Sequence, residues 1–209
     1  MTIPYLEARA WDAWTRDERF FCSALYWGAR QRSSAEFAKW TIEKCDLPIS
    51  AEGGWDMGFE VVFYRDFLAR KGKSAKLLGY SPKRTFDLCL FGEKSIIIIE
   101  AKADSAFDFN QVGSCRQDKI AIPKILKESF SDSAMDFPVY LVALISSAYK
   151  KNHETHGKTD CNGDSTLSVF DGIVTWEEVS GFFQCDEEIQ KLLLRADGIY
   201  KEKYTPSCD

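Results

Sequence analysis

The chain has 209 residues, of which 45% are hydrophobic and 14% aromatic, which is enough to bury one sizeable core. Its net charge of −5 and its pI of about 5.2 do not by themselves indicate a nucleic-acid-binding protein. No apolar run reaches the length of a membrane span, and the acidic residues near the N-terminus argue against a signal peptide. Since the seven cysteines include no CxxC pair and read as reduced thiols, we expect a soluble cytoplasmic protein.

We expect a single domain over residues 1–209, organised in three parts. Residues 1–55 are predicted to form an N-terminal helical extension, residues 56–147 an α/β core, and residues 148–209 a loop followed by C-terminal helices. This division predicts an α/β fold with extra helices at both ends.

Helix-like spacing of apolar residues predicts a helix within Trp11–Arg32, and Ser34 can cap a second helix that runs to about Cys45. Five tryptophans crowd into and just after this region: Trp11, Trp14, Trp27, Trp40 and Trp55. Large side chains that fill a core are the favoured interpretation, and a partner surface is the alternative.

The spacing of apolar residues over Met57–Arg70 predicts a helix that carries Glu60. Three strand-like runs follow: Lys76–Tyr80, Phe86–Phe91 and Ser95–Glu100. A hairpin-type turn joins the last two runs, so these strands are predicted to form a meander.

A helix is predicted over Phe109–Leu126, and Pro123 should end or kink it. A strand over Val139–Ser146, a long exposed loop over Lys150–Ser168 and a brief strand over Val169–Val174 are predicted next. A helix then runs from a Thr175–Glu178 capping box to Phe183. A closing helix over Asp186–Lys203 and a frayed tail over Thr205–Asp209 end the chain. The centre of the chain therefore has the order helix, three strands, helix, strand.

Asp87, Glu100 and Lys102 carry the chemistry that the sequence suggests. Residues two apart on a strand share a face, so Glu100 and Lys102 project together, and a hairpin brings Asp87 beside Glu100. The carbonyl of Ala101 adds a further oxygen. Hydrolysis of a phosphodiester with Mg²⁺ needs hard oxygen ligands that converge in this way. A Glu-x-Lys pair alone is more often a structural ion pair, so the significance of this pair comes from Asp87 and Glu60.

This combination resembles the PD-(D/E)xK nuclease superfamily, whose restriction-endonuclease-like core has the same order of elements. The resemblance covers roughly residues 57–147 and implies a central mixed sheet of four to five strands flanked by helices. It implies that Asp87 and Glu100 bind Mg²⁺, for which Mn²⁺ can substitute, and that Lys102 is the catalytic lysine. Glu60 would be the helix glutamate that often completes the site. Phe86 stands where the family name records a proline, a position that varies widely.

Two further sets of residues are candidates to support the site. Gln111 and Gln117 lie on the helix after the motif, where exonuclease-like members of the superfamily carry a supporting glutamine, and the sequence does not choose between them. Positive charge gathers before the motif, with Asp66 as the single acid among seven basic residues. These possible nucleic-acid contacts are Arg65, Arg70, Lys71, Lys73, Lys76, Lys83 and Arg84.

The leading hypothesis is an Mg²⁺-dependent DNA endonuclease of restriction or defence type that acts on double-stranded DNA. A homodimer would cut both strands most easily, with its interface at the tryptophan-rich N-terminal helices. The same site would also serve repair, recombination or transposition, or cleavage of RNA or single strands. A third possibility is a binding or scaffold protein that keeps the fold without activity.

Overall fold

The computed structural model describes residues 11–130, 137–156 and 165–204, in which helices and strands alternate. The strands are β1 Trp55–Val61, β2 Phe86–Gly92, β3 Ile96–Ala101, β4 Val139–Ile145 and β5 Gly172–Thr175. The helices are α1 Glu18–Arg32, α2 Ser34–Cys45, α3 Phe63–Arg70, α4 Phe109–Ser129, α5 Ser147–His156, α6 Trp176–Phe182 and α7 Glu187–Tyr204. Short 3₁₀ turns cover Trp11–Ala13 and Lys76–Leu78.

The five strands form one mixed sheet in the order β1-β2-β3-β4-β5. The first three strands are antiparallel neighbours, whereas β3, β4 and β5 run parallel. Helix α4 makes the crossover from β3 to β4 that a parallel pair requires. The predicted α/β architecture, with a mixed sheet flanked by helices, is therefore confirmed.

Both faces of the central strands are buried. Ile97 and Ile99 of β3 pack in a cluster with residues of α1, α2, α6 and α7, whereas Ile98 packs in a second cluster with residues of α3 and α4. A strand covered on both faces needs apolar residues at every position, which explains the uninterrupted isoleucine run. The end of β3 at Ala101 is as deeply buried as its start.

The predicted helix over Met57–Arg70 is wrong in its first half, because this part of the chain forms β1 and α3 begins only at Phe63. Met57, Phe59 and Val61 alternate along the chain, so the same residues satisfy a strand period as well as a helical one. Pairing with β2 from Trp55 to Phe59 and again at Val61 decides between the two.

The predicted strand at Lys76–Tyr80 is also wrong. This segment forms the 3₁₀ turn Lys76–Leu78, which leaves Leu77 88% and Leu78 49% exposed. The predicted meander is present, but its first strand is β1.

The second half of the chain differs from the prediction at three places. Helix α4 continues through Pro123 to Ser129, so the proline does not end it. Helix α5 occupies the beginning of the predicted loop over Lys150–Ser168, whereas residues 157–164 lie outside the described residues. Strand β5 begins at Gly172, later than expected, and the capped helix after it and the closing helix are confirmed.

At the N-terminal end, α1 begins only at Glu18, where the Asp17 side chain accepts a hydrogen bond from the Arg19 N–H. Ser33, and not Ser34, caps α2. The predicted tail over Thr205–Asp209 lies outside the described residues, and no described helix is long and apolar enough to cross a membrane.

The tryptophans divide into two groups. Trp11, Trp14 and Trp27 are 61%, 41% and 59% exposed, so the favoured interpretation of a core-filling cluster is wrong for these three. Trp40 is half-buried and packs against Phe37. The surface at the N-terminal end therefore carries large aromatic side chains.

Candidate active site

A row of three carboxylates crosses one end of the sheet. Asp87 lies across from Glu100, because the next pair inward is Leu88 with Ile99. Glu60 falls on the other side of Asp87, between the paired positions Phe59–Leu88 and Val61–Phe86. The register therefore brings together the two predicted metal ligands and places Glu60 next to them.

Glu100 is buried, with 8% of its surface exposed, and it is paired with a cation that the sequence did not assign to it. Arg84 donates from Nη2 to Oε1 of Glu100 at 2.8 Å and from Nε to Oδ2 of Asp118 at 2.9 Å. Tyr64 donates its hydroxyl to the second oxygen of Asp118 at 2.6 Å. Burial raises the pKa of Glu100 to about 8, although Arg84 opposes this shift and Asp87 adds to it.

Asp87 has a different environment. Its Oδ2 accepts a hydrogen bond from the backbone N–H of Ala101 at 2.8 Å, so the carboxylate leans across the end of β3. Burial raises the pKa of Asp87, and the Ala101 N–H and the charge of Lys102 oppose that rise. Asp87 is thus held toward the Glu-x-Lys segment by a backbone N–H.

Lys102 directs its ammonium toward α1. Its Nζ lies 3.2 Å from Oε2 of Glu18 and 5.6 Å from the ring centroid of Phe107. The carbonyl of Lys102 accepts a hydrogen bond from the indole N–H of Trp176 at 3.1 Å, which holds the backbone just beyond β3. Both the ammonium and the backbone carbonyl of Lys102 are therefore held in place.

Glu18 is a site residue that sequence analysis missed. It is the first residue of α1, where an acidic side chain is ordinarily explained by the helix dipole. Burial raises the pKa of Glu18, and Lys102 opposes the shift while Asp87 adds to it. Only the packing of α1 against the sheet shows that this glutamate, 84 positions before Lys102, belongs to the site.

The expectation that Glu60 lies on a helix is wrong, because it lies near the end of β1 in a left-handed conformation with a φ of 51°. Its carboxylate pairs with Arg19 at 3.3 Å and is 30% exposed. Burial raises the pKa of Glu60, with Arg19 opposing and Asp87 adding to the shift. Glu60 thus faces the same cluster from the opposite side of Asp87.

The carboxylate oxygens of this cluster are the type of ligand that a hard divalent cation prefers. In the part of the chain that the structure describes, no three His, Cys, Asp or Glu side chains are arranged as a metal-binding group. The site nevertheless has more carboxylates than cations, and Mg²⁺ prefers carboxylate oxygens. The carboxylates are Glu18, Glu60, Asp87, Glu100 and Asp118, and the cations are Arg19, Arg84 and Lys102. A bound divalent cation would favour the ionised form of these carboxyl groups, whose pKa values burial raises.

The two glutamines lie at different places on α4, Gln111 in its first turn and Gln117 next to Asp118. Gln111 forms a capping box with Asp108 at the start of α4, since each side chain accepts a hydrogen bond from the other residue's backbone N–H. Gln117 is exposed and lines a pocket next to Arg84. Neither glutamine has a hydrogen bond with Asp87 or Glu100.

The basic stretch before β2 is mostly exposed to solvent. Its exposed members are Arg65, Arg70, Lys71, Lys73, Lys76 and Lys83. Arg65 pairs with its neighbour Asp66 at 2.7 Å. Arg84 differs from the rest, because its guanidinium points inward to Glu100 and Asp118.

Comparison of the chain with protein-family models, with curated proteins and with solved structures found no match. The fold and the geometry of these side chains are therefore the observations from which a function can be proposed.

Proposed function

We propose that the protein is a divalent-metal-dependent nuclease with a restriction-endonuclease-like core. The observation that carries this proposal is the position of Asp87 across from Glu100 at one end of β2 and β3, with Lys102 directly after β3. Buried carboxylates and an ammonium at the end of an apolar sheet are costly to maintain, and such groups cluster at functional sites.

The order of elements supports the same proposal. Helix α1 precedes the meander β1-β2-β3, and α4 leads to β4, which runs parallel to β3. This order supports the core that the sequence resemblance implies, with β1 as its first strand. Glu18 on α1 then takes the role of the helix glutamate, which sequence analysis had given to Glu60.

Each residue of the site has its own role in the proposed reaction. Asp87, Glu100 and the carbonyl of Ala101 would hold Mg²⁺, or Mn²⁺ in its place, with Glu60 beside them. When bound, the ion polarises the phosphate and lowers the pKa of a water molecule. Lys102 orients that water or neutralises charge that develops on the phosphate. Glu18 positions Lys102 through their 3.2 Å ion pair.

Double-stranded DNA is the proposed substrate, in restriction or defence, and a homodimer would cut both strands. The exposed basic stretch before β2 supports a nucleic-acid substrate, because it gathers positive charge in an otherwise acidic chain and ends at Arg84, which binds Glu100. Repair, recombination or transposition would use the same site. One observation favours an inactive scaffold instead: Glu100 is already paired with Arg84 at 2.8 Å.

The test is cleavage of plasmid, linear duplex, single-stranded DNA and RNA with Mg²⁺, with Mn²⁺ and with a chelator. We expect metal-dependent cleavage that falls by about 10²-fold or more in Glu100→Gln and Lys102→Ala, as when an enzyme loses one preorganised charge-stabilising group. Glu43→Gln is the matched control, because Glu43 is an exposed residue of α2.

Two results would contradict the proposal. Equal activity in Glu100→Gln and in the wild type would exclude the assigned site. Absence of cleavage with either metal on all four substrates, together with no Mn²⁺ binding by calorimetry, would favour the scaffold.

A further inference from the structure

A pocket of about 490 Å³ opens beside the proposed active site. Its walls come from α3, from α4 and from the segment that leads into β2, and they include Tyr64, Tyr80, Ser81, Gln117, Ile120 and Lys124. The volume lies in the range of small-molecule sites, about 300–1,000 Å³. The lining combines two tyrosines and apolar side chains with six polar or charged residues, which suits a planar heterocycle that carries hydrogen-bonding groups.

The aromatic part of the pocket is held rigidly. Tyr80 stacks on Tyr64 with ring centroids 4.9 Å apart and an angle of 6° between the planes. Tyr64 is 3% exposed, and its hydroxyl is anchored on Asp118 at 2.6 Å. Tyr80 is half-buried and therefore presents part of an already oriented ring to the pocket. A preoriented ring loses little entropy when a ligand stacks on it.

The pocket is one side chain away from the carboxylates. Arg84 lines it and binds Glu100 at 2.8 Å, and Asp118, which also lines it, holds Arg84 in place. A group that occupies the pocket would therefore lie next to the site where a phosphate would be cleaved. This position next to the site suits a base attached to a nucleotide near that phosphate.

The segment from Lys71 to Arg84 has the surface of a nucleic-acid contact, and its last part supplies Tyr80, Ser81 and Arg84 to the lining of the pocket. No acidic residue occurs from Lys71 to Arg84, and the lysines of this segment are exposed. Leu77 is 88% exposed and Leu78 is 49% exposed, within the turn that precedes Tyr80. Exposed apolar side chains among basic ones are what proteins use to separate stacked bases while they bind the backbone.

We propose that this pocket binds an unstacked nucleobase of the substrate strand, adjacent to the phosphate that is cleaved. The base stacks against Tyr80, Ile120 covers it, and the exposed lysines hold the flanking phosphates. The inference rests on the proposed nuclease function and deepens it, because it requires one base of the DNA substrate to leave its stack beside the phosphate that is cleaved. Every base has a stacking face, so the pocket tolerates different sequences.

The test uses a short single-stranded oligodeoxynucleotide that carries 2-aminopurine at successive positions, with Ca²⁺ in place of Mg²⁺. We expect wild type to quench the fluorescence at one position and Tyr80→Ala to weaken binding by about 5-fold or more, the low end for a base–aromatic stack. An abasic site at that position should make the Kd values of wild type and Tyr80→Ala equal.

Ile120→Glu is the second variant, because Ile120 is 74% exposed and its replacement does not empty the core. It should weaken binding as Tyr80→Ala does. Leu194→Glu is its matched control, since Leu194 is an apolar residue of α7 that is 46% exposed and does not line the pocket, and it should bind like wild type.

The outcomes separate this inference from the nuclease proposal. If wild type cleaves with metal while Tyr80→Ala and Ile120→Glu bind and cleave as wild type does, the base pocket is excluded and the nuclease stands. If wild type neither binds nor cleaves nucleic acid, both proposals fail. Binding of free AMP that is as tight as binding of the oligonucleotide would also overturn the inference, because the strand would then contribute nothing.

Discussion

The two ends of strand β3 show how differently a buried position can be used. From Ile96 to Ile99 the strand is apolar, and Ile97 is 0% exposed. At the other end Glu100 is only 8% exposed and still carries a carboxylate, and Lys102 follows directly. Both ends of the strand are buried, so the two ends differ in the chemistry of their side chains and not in their burial.

The apolar end stabilises the protein by burial, whereas the charged end needs partners. A buried carboxylate costs free energy unless it is paired and hydrogen-bonded. Glu100 obtains its partner from Arg84, and Arg84 is held in turn by Asp118. A chain selected for stability alone could continue the isoleucine run, so the charges indicate a function at this end.

Among the variants that test this difference between the two ends of β3, Arg84→Ala should lower the free energy of unfolding most. The variant leaves the two buried carboxylates of Glu100 and Asp118 without their cation, and breaking such a pair costs about 3–5 kcal/mol. Urea titration measures this loss in the free energy of unfolding. The exposed pair of Arg65 with Asp66 provides the control, since Arg65→Ala should cost at most about 1 kcal/mol. Equal losses in the two variants would show that the buried network is not needed for stability.

Ile97→Val should lower the free energy of unfolding by an intermediate amount. It tests the apolar end of β3 separately from the charged end. It removes one methylene from a fully buried position of β3, which costs about 0.5–1.5 kcal/mol. The rate of metal-dependent cleavage should remain that of the wild type at a temperature where both proteins are folded. A large loss of cleavage in this variant would show that the apolar end also contributes to the site.

Arg19→Ala should have the smallest effect. The pair of Arg19 with Glu60 joins side chains that are 68% and 30% exposed, so its contribution to the free energy of unfolding is about 0–1 kcal/mol and shrinks in high salt. Urea titration at low and at high ionic strength measures both quantities. A salt-independent loss comparable to that of Arg84→Ala would place this pair inside the buried network.

Much of the fold follows from local patterns. Strands β2, β3 and β4, helix α4 and the capped helix after Thr175 all lie close to their predicted positions. These segments have a single clear hydrophobic period or a specific cap, so neighbouring structure reinforces the local preference. Strand β1 was missed because its apolar residues satisfy two periods, and only pairing with β2 distinguishes them.

The site was predictable where its residues belong to neighbouring strands. Asp87 and Glu100 were predicted to meet because a hairpin determines which residues face each other. Arg84, expected at a nucleic-acid surface, turns inward instead. Glu18 was not expected in the site at all. Both depend on helices and segments that reach the sheet only after folding.

The amino-acid sequence by itself determined the α/β architecture and the meeting of Asp87 with Glu100, since periodicity and hairpin register are local properties. The tertiary structure decided which charges neutralise which. Glu18 pairs with Lys102, and Arg84 lies between Glu100 and Asp118, because packing of α1 and α4 against the sheet brings distant residues within hydrogen-bonding distance. Such contacts depend on the packing of whole elements, and no local pattern records them.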